Sequence, residues 1–447
     1  MRNDPVRSSQ FSLLGALLLF ATEPLWAAGY SVEEVARESR PAIDTVIFSG
    51  NAVLNAQGDI IGQTRRYSDD RVFTRGWRAF LWRHGDVQAV GPFGTDANGY
   101  GMSIANGINT DGQVVGVSTV FRDGLDLGPR AFVWTDGGFD RVGRESGFVA
   151  TQANAISADG RIVGVGRLYE RGQDKGNRSV IWIDGRVRDL GVLSTADDGH
   201  GNSAPVGINV QGQVAGNSEI YTKGEWSGVH GFIWRDDVLH DMGALGVTSY
   251  GYSFSNTVAI NDRGQVAGYA DYIRNGDWFG THTVMWTDGV LRDLGSLGVD
   301  PAGIGYSVPT AINPSGHVVG YSETYDAKGN YHGSHAFLWA RGAMADLGVL
   351  AADGDGVGTS FPNAINAAGD VVGFSTVADQ TGNLIFHAFV HRGGALTDLN
   401  TLIPAGSGWE FENGMAINDQ GQILAYGTRT RDGGSYKGFA LLTPRAD

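Results

Sequence analysis

The 447-residue chain contains no cysteine, only 12 prolines and few charged residues, and each shortage excludes a class of protein. Without thiols there is no disulfide, no thiolate metal site and no lipid anchor on an N-terminal cysteine. Acidic residues outnumber basic ones by 48 to 33, and the net charge of −15 disfavours binding to nucleic acid. Hydrophobic residues make up 42% of the chain, enough for a core, and 69 glycines indicate many tight turns.

Long hydrophobic runs are also missing, except for one near the N-terminus. Residues 11–21 are apolar, follow Arg2 and Arg7, and precede the small residues Ala27 and Ala28. This order is typical of a secretory signal peptide, and the run is shorter than the ~20 residues that a membrane span needs. We expect a signal peptide over residues 1–28, with cleavage after Ala27 favoured, and no stable membrane anchor after cleavage. The protein would then be a bacterial secreted or periplasmic protein; an uncleaved anchor is the alternative.

The chain does contain one sequence unit repeated eight times. Each copy has an anchor, an aliphatic residue and a small polar one, followed by a glycine and a short apolar stretch. Consecutive anchors lie 48 to 54 residues apart, a spacing typical of repeat architectures. Residues that recur in every copy are therefore interpreted as scaffold. The anchors are Leu54-Asn55, Ile108-Asn109, Ile156-Ser157, Ile208-Asn209, Ile260-Asn261, Ile312-Asn313, Ile365-Asn366 and Ile417-Asn418.

The fifth copy indicates four short strands in each unit. One strand ends at Asn261, and a turn leads to a second over residues 265–269. A longer variable loop precedes a third strand at 282–286, and another turn leads to a fourth at 291–295. Asn and Gly suit the left-handed conformations of such turns. This pattern predicts an all-β fold in which each copy is one four-stranded antiparallel blade of a β-propeller.

The two ends of the repeat array predict how the fold closes. The eighth copy ends with its third strand, and residues 30–35 form a β-like stretch with no place in the first copy. We therefore predict a single domain over residues 30–445, built from eight repeats of about 52 residues. It would be an eight-bladed β-propeller, closed by the N-terminal strand joining the C-terminal blade. Such a seam would remove free sheet edges.

Two residue types recur in the third strand. A basic residue opens it in every copy, and a position that is mostly aspartate in the later copies follows 11 residues later. Tryptophan closes the strand in six copies and is interpreted as core between blades. Equivalent positions of separate blades lie far apart, so four recurring histidines are interpreted as partners for the aspartates rather than as metal ligands. These histidines are His230, His282, His335 and His387.

Function is expected where the copies differ, which is mainly in the loops between the second and third strands and between copies. Antiparallel connections place all these loops on one face of a rigid disc. Exposed aromatics beside carboxylates and glycines suit recognition of a glycan or a peptide. The candidate ligand-binding residues are Trp226, Tyr252, Trp278, Tyr306, Tyr331 and Trp409.

The last two copies carry candidate catalytic and metal-binding acids. Glu410 falls near the position at which other copies have the serine of a Gly-x-Ser sequence, and Glu412 is two residues further on. Strand alternation would point both carboxylates the same way, a pattern that glycosidases use, although a solvated seam is the alternative. Asp353 and Asp355 resemble the start of a calcium loop, but Val357 takes the next ligand position. We assign no catalytic residue, metal or cofactor from these patterns.

The unit resembles the HAF repeats of bacterial extracellular proteins. That family pattern is Ile-Asn-x-x-Gly-Gln-Val-Val-Gly, then His-Ala-Phe-Leu-Trp, then Asp-Leu-Gly-x-Leu. The sixth copy matches it with residues 312–320, 335–339 and 346–350, and the resemblance extends over residues 50–442. Copies one and three depart most, with Arg78 and Arg178 in place of the histidine. The resemblance implies an exported repeat protein and supplies no catalytic residues.

These features predict an exported β-propeller module that binds a glycan or an extracellular protein, and a monomeric chain. An extracellular polysaccharide lyase or glycoside hydrolase with its site at the channel mouth is one alternative. A structural component of a surface or matrix is another. Convergence of loop acids and aromatics at one point would favour an enzyme, whereas a spread-out aromatic surface would favour binding.

Overall fold

The computed structural model describes residues 29–37, 44–47, 53–67, 74–136, 138–142 and 147–445. Within these residues the predicted all-β fold is confirmed, since one 3-10 helix, Leu399–Leu402, is the sole helical element among 33 strands. No helix in this part of the chain has the length and apolar character needed to cross a membrane. The signal peptide predicted for residues 1–28 lies outside the described residues.

The strands follow the repeat, as their bounds show. The N-terminal strand and the first two copies contain β1 (Tyr30–Arg37), β2 (Asp44–Ile47), β3 (Val53–Leu54), β4 (Ile60–Tyr67), β5 (Thr74–Arg83), β6 (Asp86–Val90), β7 (Ser103–Ile108), β8 (Val114–Arg122), β9 (Leu125–Thr135) and β10 (Gly138–Arg141). Copies three and four contain β11 (Phe148–Ile156), β12 (Ile162–Glu170), β13 (Gln173–Ile183), β14 (Arg186–Gly191), β15 (Ser203–Ile208), β16 (Val214–Thr222), β17 (Glu225–Arg235) and β18 (Val238–Asp241). Copies five and six contain β19 (Ser253–Ile260), β20 (Val266–Arg274), β21 (Asp277–Thr287), β22 (Val290–Gly295), β23 (Gly305–Ile312), β24 (Val318–Tyr325), β25 (Tyr331–Ala340) and β26 (Ala343–Gly348). The last two contain β27 (Ser360–Ile365), β28 (Val371–Ala378), β29 (Leu384–Arg392), β30 (Ala395–Asp398), β31 (Trp409–Ile417), β32 (Ile423–Arg431) and β33 (Gly434–Pro444).

Antiparallel groups of four strands are the unit of the fold. Copy two, for example, forms the sheet β7-β8-β9-β10, and copy seven forms β27-β28-β29-β30. In copy one the innermost strand is in two pieces, β2 and β3, which both pair with β4. Short parallel pairings of β17 with β19 and of β21 with β23 join the groups of copies four, five and six. The arrangement is β-propeller-like, with one group of strands per repeat.

The N-terminal strand lies where the sequence predicts it. β1 pairs antiparallel with β33, with Tyr30 opposite Pro444 and Glu34 opposite Ala440. The sheet of the last copy therefore has the order β1-β33-β32-β31. The backbone oxygen of Gly29 also accepts a hydrogen bond from the Arg445 amide at 3.0 Å. The two described ends of the chain thus lie side by side.

The core consists of apolar clusters between successive copies. The tryptophans that close the third strand are buried in all six copies that have one, as the sequence predicts. Trp134 of copy two packs with Ile61 and Leu81 of copy one. A corresponding cluster contains Trp82 of copy one and Leu424 of copy eight, so the first and last copies share apolar surface.

The anchor asparagines have a role beyond the turn that the sequence predicts. In copy five the side-chain oxygen of Asn261 accepts hydrogen bonds from the amides of Arg263 and Gln265, both at 3.0 Å. Its side-chain amide donates to the backbone oxygen of Asn313, the anchor of copy six, at 3.0 Å. The same inter-copy bond joins Asn55 to Asn109, Asn109 to Ser157, Asn209 to Asn261, Asn313 to Asn366, Asn366 to Asn418 and Asn418 to Asn55.

The second and third strands are longer than the sequence analysis predicts. In copy five they extend to Arg274 and back from Asp277, so the expected variable loop is a continuous β-hairpin. Its turn is Asn275-Gly276, with φ of 54° and 89°, which suits a tight hairpin turn. The hairpin positions Trp278 rigidly, at the start of a strand rather than on a loop.

Candidate ligand-binding face

The strand directions give each sheet two distinct ends. We call the end that carries the hairpins between second and third strands and the connections between copies the loop face. The opposite end carries the anchor turns and the turns between third and fourth strands, and we call it the anchor face. All six candidate ligand-binding residues belong to segments at the loop face.

The central candidates form an exposed aromatic group at copies four and five. Trp226 begins the third strand of copy four, and Tyr252 precedes β19; their exposed fractions are 43% and 40%. Their ring centroids lie 5.9 Å apart at an interplanar angle of 45°. Phe254, which the sequence analysis missed, lies 5.9 Å from Trp226. Its spacing of two from Tyr252 along a strand is the signal that could have identified it.

The hairpin that carries Trp278 lies against the connection that carries Tyr252 of this group. The Ser249 amide donates to the Gly276 oxygen at 3.1 Å, so the hairpin of copy five contacts the connection that carries Tyr250 and Tyr252. On the other side, Gly228 of β17 pairs with Ser253 of β19. A side chain at Gly228 would meet the Ser253 backbone oxygen at 1.9 Å, so this approach requires glycine. We call Trp226, Tyr250, Tyr252, Phe254 and Trp278 the aromatic patch.

Tyr306 and Tyr331 belong to copy six and pack against other tyrosines. The ring of Tyr331 lies 5.8 Å from that of Tyr325, edge to face. Tyr306 is half-buried, and its ring lies 6.2 Å from that of Tyr321. Burial raises the pKa of Tyr321 to about 12, and the neighbouring Tyr306 adds to this. Tyr321 is therefore neutral at physiological pH. Tyr306 and Tyr331 lie outside the aromatic patch.

Trp409 is buried rather than exposed, which corrects its place among the candidates. Only 8% of its surface is accessible. Its ring stacks on Phe411 at 5.1 Å and 12°, and the Arg429 guanidinium lies 5.5 Å from its centroid. It packs in the core cluster that also contains Tyr30 of β1. Because Phe411, Arg429 and Tyr436 surround this ring, Trp409 is part of the scaffold and is removed from the candidate face.

Glu410 and Glu412 contact different partners. The Glu410 carboxylate lies 3.3 Å from His387 Nε2 of the preceding copy. Glu412 instead accepts hydrogen bonds from Thr428, at 2.9 Å, and Lys437. A bulge between Phe411 and Asn413 interrupts strand alternation at Glu412, so the two acids do not act as the alternating pair that the sequence suggests.

Glu410 also does not align with the position that the sequence predicts when copy eight is compared with most other copies. The residue 23 positions after the third-strand histidine is Ser253 in copy five, and it bonds His230 Nε2 at 2.9 Å. In copies six and seven the same position is Gly305 and Gly358, whereas Glu410 takes it in copy eight. Glu410 therefore replaces the glycine of the Gly-x-Ser sequence in most copies, rather than its serine.

The four third-strand histidines pair with the aspartates of the fourth strand, as predicted. The distances from Nδ1 to the nearest carboxylate oxygen are 2.8 Å for His230–Asp241, 3.0 Å for His282–Asp293, 2.9 Å for His335–Asp346 and 2.7 Å for His387–Asp398. Each pair lies within its own copy, so the histidines do not converge. His387 alone among them also meets a second carboxylate, that of Glu410. The hydrogen bond that His387 donates to Asp398 raises the pKa of His387, burial opposes this, and Glu410 adds to it.

Asp353 and Asp355 lie in an exposed connection between copies six and seven. One carboxylate oxygen of Asp353 accepts hydrogen bonds from the amides of Asp355 and Val357, at 3.0 and 2.9 Å. This oxygen therefore caps its own turn. Throughout the described ranges, no three His, Asp or Glu side chains come together in a way that could hold a metal ion.

Known proteins share the general shape of this chain but little of its sequence. No protein-family pattern matches it, and no curated protein sequence does. The β-propeller domain of the Trilobed protease from Pyrococcus furiosus is 10% identical, with a TM-score of 0.43, over 79% of this chain and 97% of that domain. Polysaccharide lyase Uly1 is 10% identical, with a TM-score of 0.38, over 90% of this chain and 89% of that protein. Trypanosoma rangeli sialidase is 9% identical, with a TM-score of 0.28, over 91% of this chain and 55% of that protein. These likenesses assign no activity or ligand to this chain.

Proposed function

We propose that this protein is an exported, closed, eight-bladed β-propeller of the HAF-repeat type that binds a neutral glycan on its aromatic patch. Closure is supported by the bond from Asn418 to Asn55 and by the apolar cluster that the first and last copies share. Export and the HAF assignment rest on the sequence features of residues 1–28 and of the repeated units.

The observation that carries the glycan proposal is the exposure of large aromatic rings on a rigid frame. Trp226, Trp278 and Tyr250 have exposed fractions of 43%, 48% and 86%. Rings of this kind bind the apolar C–H faces of sugars, and exposed apolar patches mark interaction sites. The backbone bonds at Ser249 and Gly228 hold the connection and its two flanking hairpins together. Binding therefore costs little conformational entropy.

The charges around the patch favour a neutral ligand. Each patch tryptophan follows a carboxylate, Glu225 before Trp226 and Asp277 before Trp278, and each hairpin also carries a cation, Lys223 or Arg274. The opposite charges balance at each hairpin, and both groups form hydrogen bonds with sugar hydroxyls. The overall charge of −15 disfavours an acidic ligand. A neutral polysaccharide or oligosaccharide therefore fits better than an acidic one.

Binding to a panel of immobilised neutral polysaccharides tests the proposal. Trp226→Ala and Tyr252→Ala should each raise the Kd for the bound glycan by about tenfold or more. Tyr169→Ala is the matched control, because Tyr169 is an exposed aromatic (41%) on the hairpin of copy three, away from the patch. Absence of binding by the native protein, or equal losses in all three variants, would contradict the proposal.

A hydrolase or lyase is a second candidate function, favoured by the group Asp398–His387–Glu410. Two carboxylates raise the pKa of His387, which suits the imidazole to proton donation at the loop face. Turnover of neutral and acidic polysaccharides that is abolished by His387→Asn and Glu410→Gln, but kept by Glu412→Gln, would support this function. Turnover that is unchanged by Glu410→Gln would exclude this group as the active site.

A further inference from the structure

We infer that the anchor face carries a second ligand site, a cleft between copies three and four that binds a small neutral saccharide. The site lies at the opposite end of the sheets from the aromatic patch. It goes beyond the proposed function and does not depend on it. Four observations meet at this one junction.

The first observation is a cleft between the anchor turns and third strands of the two copies. Its volume is about 590 Å³, within the range of small-molecule sites. A second cleft of about 580 Å³ adjoins it along Ile183 and the turn of copy three. The lining of the first cleft includes Arg161, Gln211, Gln213, Trp234, Arg235 and Asp237.

The second observation is a break in the inter-copy hydrogen bonds. Copy three has Ser157 where every other copy has the anchor asparagine. The Ser157 hydroxyl bonds Asp159 and the backbone of Arg161, all within its own turn. The described residues therefore contain no side-chain bond from this anchor to Asn209 of copy four, and the cleft lies at this junction.

The third observation is that copy three also differs from most copies at the position four residues after its anchor. Four residues after the anchor, copies two, four, five and eight have a glutamine whose side-chain oxygen accepts from the anchor asparagine, as Gln213 does at 2.8 Å. Copy three has Arg161 there instead. Its guanidinium pairs with Asp159 at 3.0 Å and lies over Gly212, where a side chain would meet it at 2.4 Å. The glutamine bond lies within its own turn, so copy three has an ion-paired guanidinium at the cleft where other copies have a neutral amide.

The fourth observation is backbone strain at the rim. Seven copies have a turn between third and fourth strands, and its second residue is glycine in six of them, but copy four has Asp237, with φ of 65°. A residue with a side chain is disfavoured in this conformation, and such strain collects at functional sites. The Asp237 carboxylate pairs with Arg188 of copy three, whose guanidinium also lies 5.2 Å from the Trp234 ring. Asp237, the residue with this disfavoured φ, therefore lies in the wall of the cleft.

The chemistry of the lining points to a polyhydroxylated ligand without net charge. Guanidinium and amide groups of Arg161, Arg235 and Gln211 donate hydrogen bonds, and the carboxylates of Asp236 and Asp237 accept them. Sugar hydroxyls do both. An anion would meet the two carboxylates and a cation would meet the two arginines, so a neutral mono- or disaccharide suits the cleft best.

Saturation-transfer NMR with maltose, cellobiose, lactose and trehalose tests the site, with glucosamine and galacturonate as charged comparators. We expect at least one neutral disaccharide to bind. Gln213→Ala should raise its Kd by about tenfold. Gln265→Ala is the matched control, because Gln265 makes the same bond to its anchor asparagine in copy five, and should leave binding unchanged.

The variant Asp237→Gly provides a second, independent test, in which stability and saccharide binding are measured together. Restoring glycine relieves the backbone strain, so the thermal midpoint of unfolding should rise while saccharide binding falls. Loss of binding in a more stable protein cannot come from misfolding. Three results would overturn the inference: no neutral disaccharide binds, the charged comparators bind better, or binding is lost in Trp226→Ala but kept in Gln213→Ala and Asp237→Gly.

Discussion

The side-chain amide of Asn418 donates a hydrogen bond to the backbone oxygen of Asn55 at 3.0 Å, across a sequence separation of 363 residues. The Asn418 side-chain oxygen accepts from the amides of Gln420 and Gln422 in its own turn. One buried residue thus holds both a turn and the junction of the last copy with the first. Removing it leaves backbone groups of both copies without partners.

Asn418→Ala should lower the free energy of unfolding by roughly 1–3 kcal/mol, since several buried hydrogen bonds are lost at once. Urea unfolding followed by tryptophan fluorescence measures the change. Gln420→Ala, at an exposed position of the same turn, is the control and should change it by less than about 0.5 kcal/mol. Equal effects of the two substitutions would show that the inter-copy bond contributes little.

Deletion of residues 30–37 removes β1 and exposes the edge of β33. Such an edge pairs with other chains, so the variant should unfold at a lower temperature and self-associate. Loss of Tyr30, which is buried in the last copy's core cluster, adds to the destabilisation. Light scattering and calorimetry follow the two effects. A synthetic peptide of residues 29–37 should reverse them in trans, whereas a scrambled peptide should not.

Truncation should lower stability at a scaffold tryptophan, whereas it should weaken glycan binding at a tryptophan of the aromatic patch. Trp182 is 2% exposed and closes the third strand of copy three, so Trp182→Ala should cost roughly 3–5 kcal/mol of stability. Trp226→Ala, at an exposed position, should change stability by less than about 0.5 kcal/mol while it weakens glycan binding. Chemical denaturation of the two variants makes the comparison. A large stability loss at Trp226 would mean that its ring is scaffold.

The pKa values of two histidines of β29 should be shifted in opposite directions. The hydrogen bond that His387 donates to Asp398 raises the pKa of His387 above its ordinary 6.5, whereas burial lowers the pKa of His391. The stability that protonated His387 contributes is fully present below pH 6.5 and is lost as the pH rises through its folded-state pKa. NMR titration of the imidazole signals measures both values. Asp398→Asn should lower the midpoint of His387 and leave that of His391 in place; a shared midpoint in the native protein would refute the assignment.

Features that recur at a fixed interval could be predicted from the sequence. The interval of 11 residues between His230 and Asp241 recurs through the later copies, and a hairpin with paired ends is its simplest explanation. The same holds for the buried third-strand tryptophans and for the pairing of β1 with β33. The His–Asp pairs depend on contacts within a copy, the tryptophans on one contact repeated between neighbouring copies, and the β1 pairing on the missing strand of the last copy.

Features that depend on distant parts of the chain could not be predicted. The burial of Trp409 depends on the Arg429 guanidinium and on Tyr436 of the next two strands, so its sequence neighbours do not reveal it. The separation of Glu410 from Glu412 depends on a bulge that strand alternation does not anticipate. In the aromatic patch, Trp226 and Tyr252 could be identified from their variable segments, but their contact depends on the close approach at Gly228.

The bond between Gly29 and Arg445 has a consequence for engineering the chain. Because the two described ends meet on neighbouring strands, a short linker could join them, and new termini could be opened elsewhere. Cutting between copies three and four would sacrifice no anchor bond, since Ser157 makes none to its neighbour. A circular permutant opened there would keep both partners of every anchor-asparagine bond between copies on one continuous chain segment or across the new linker.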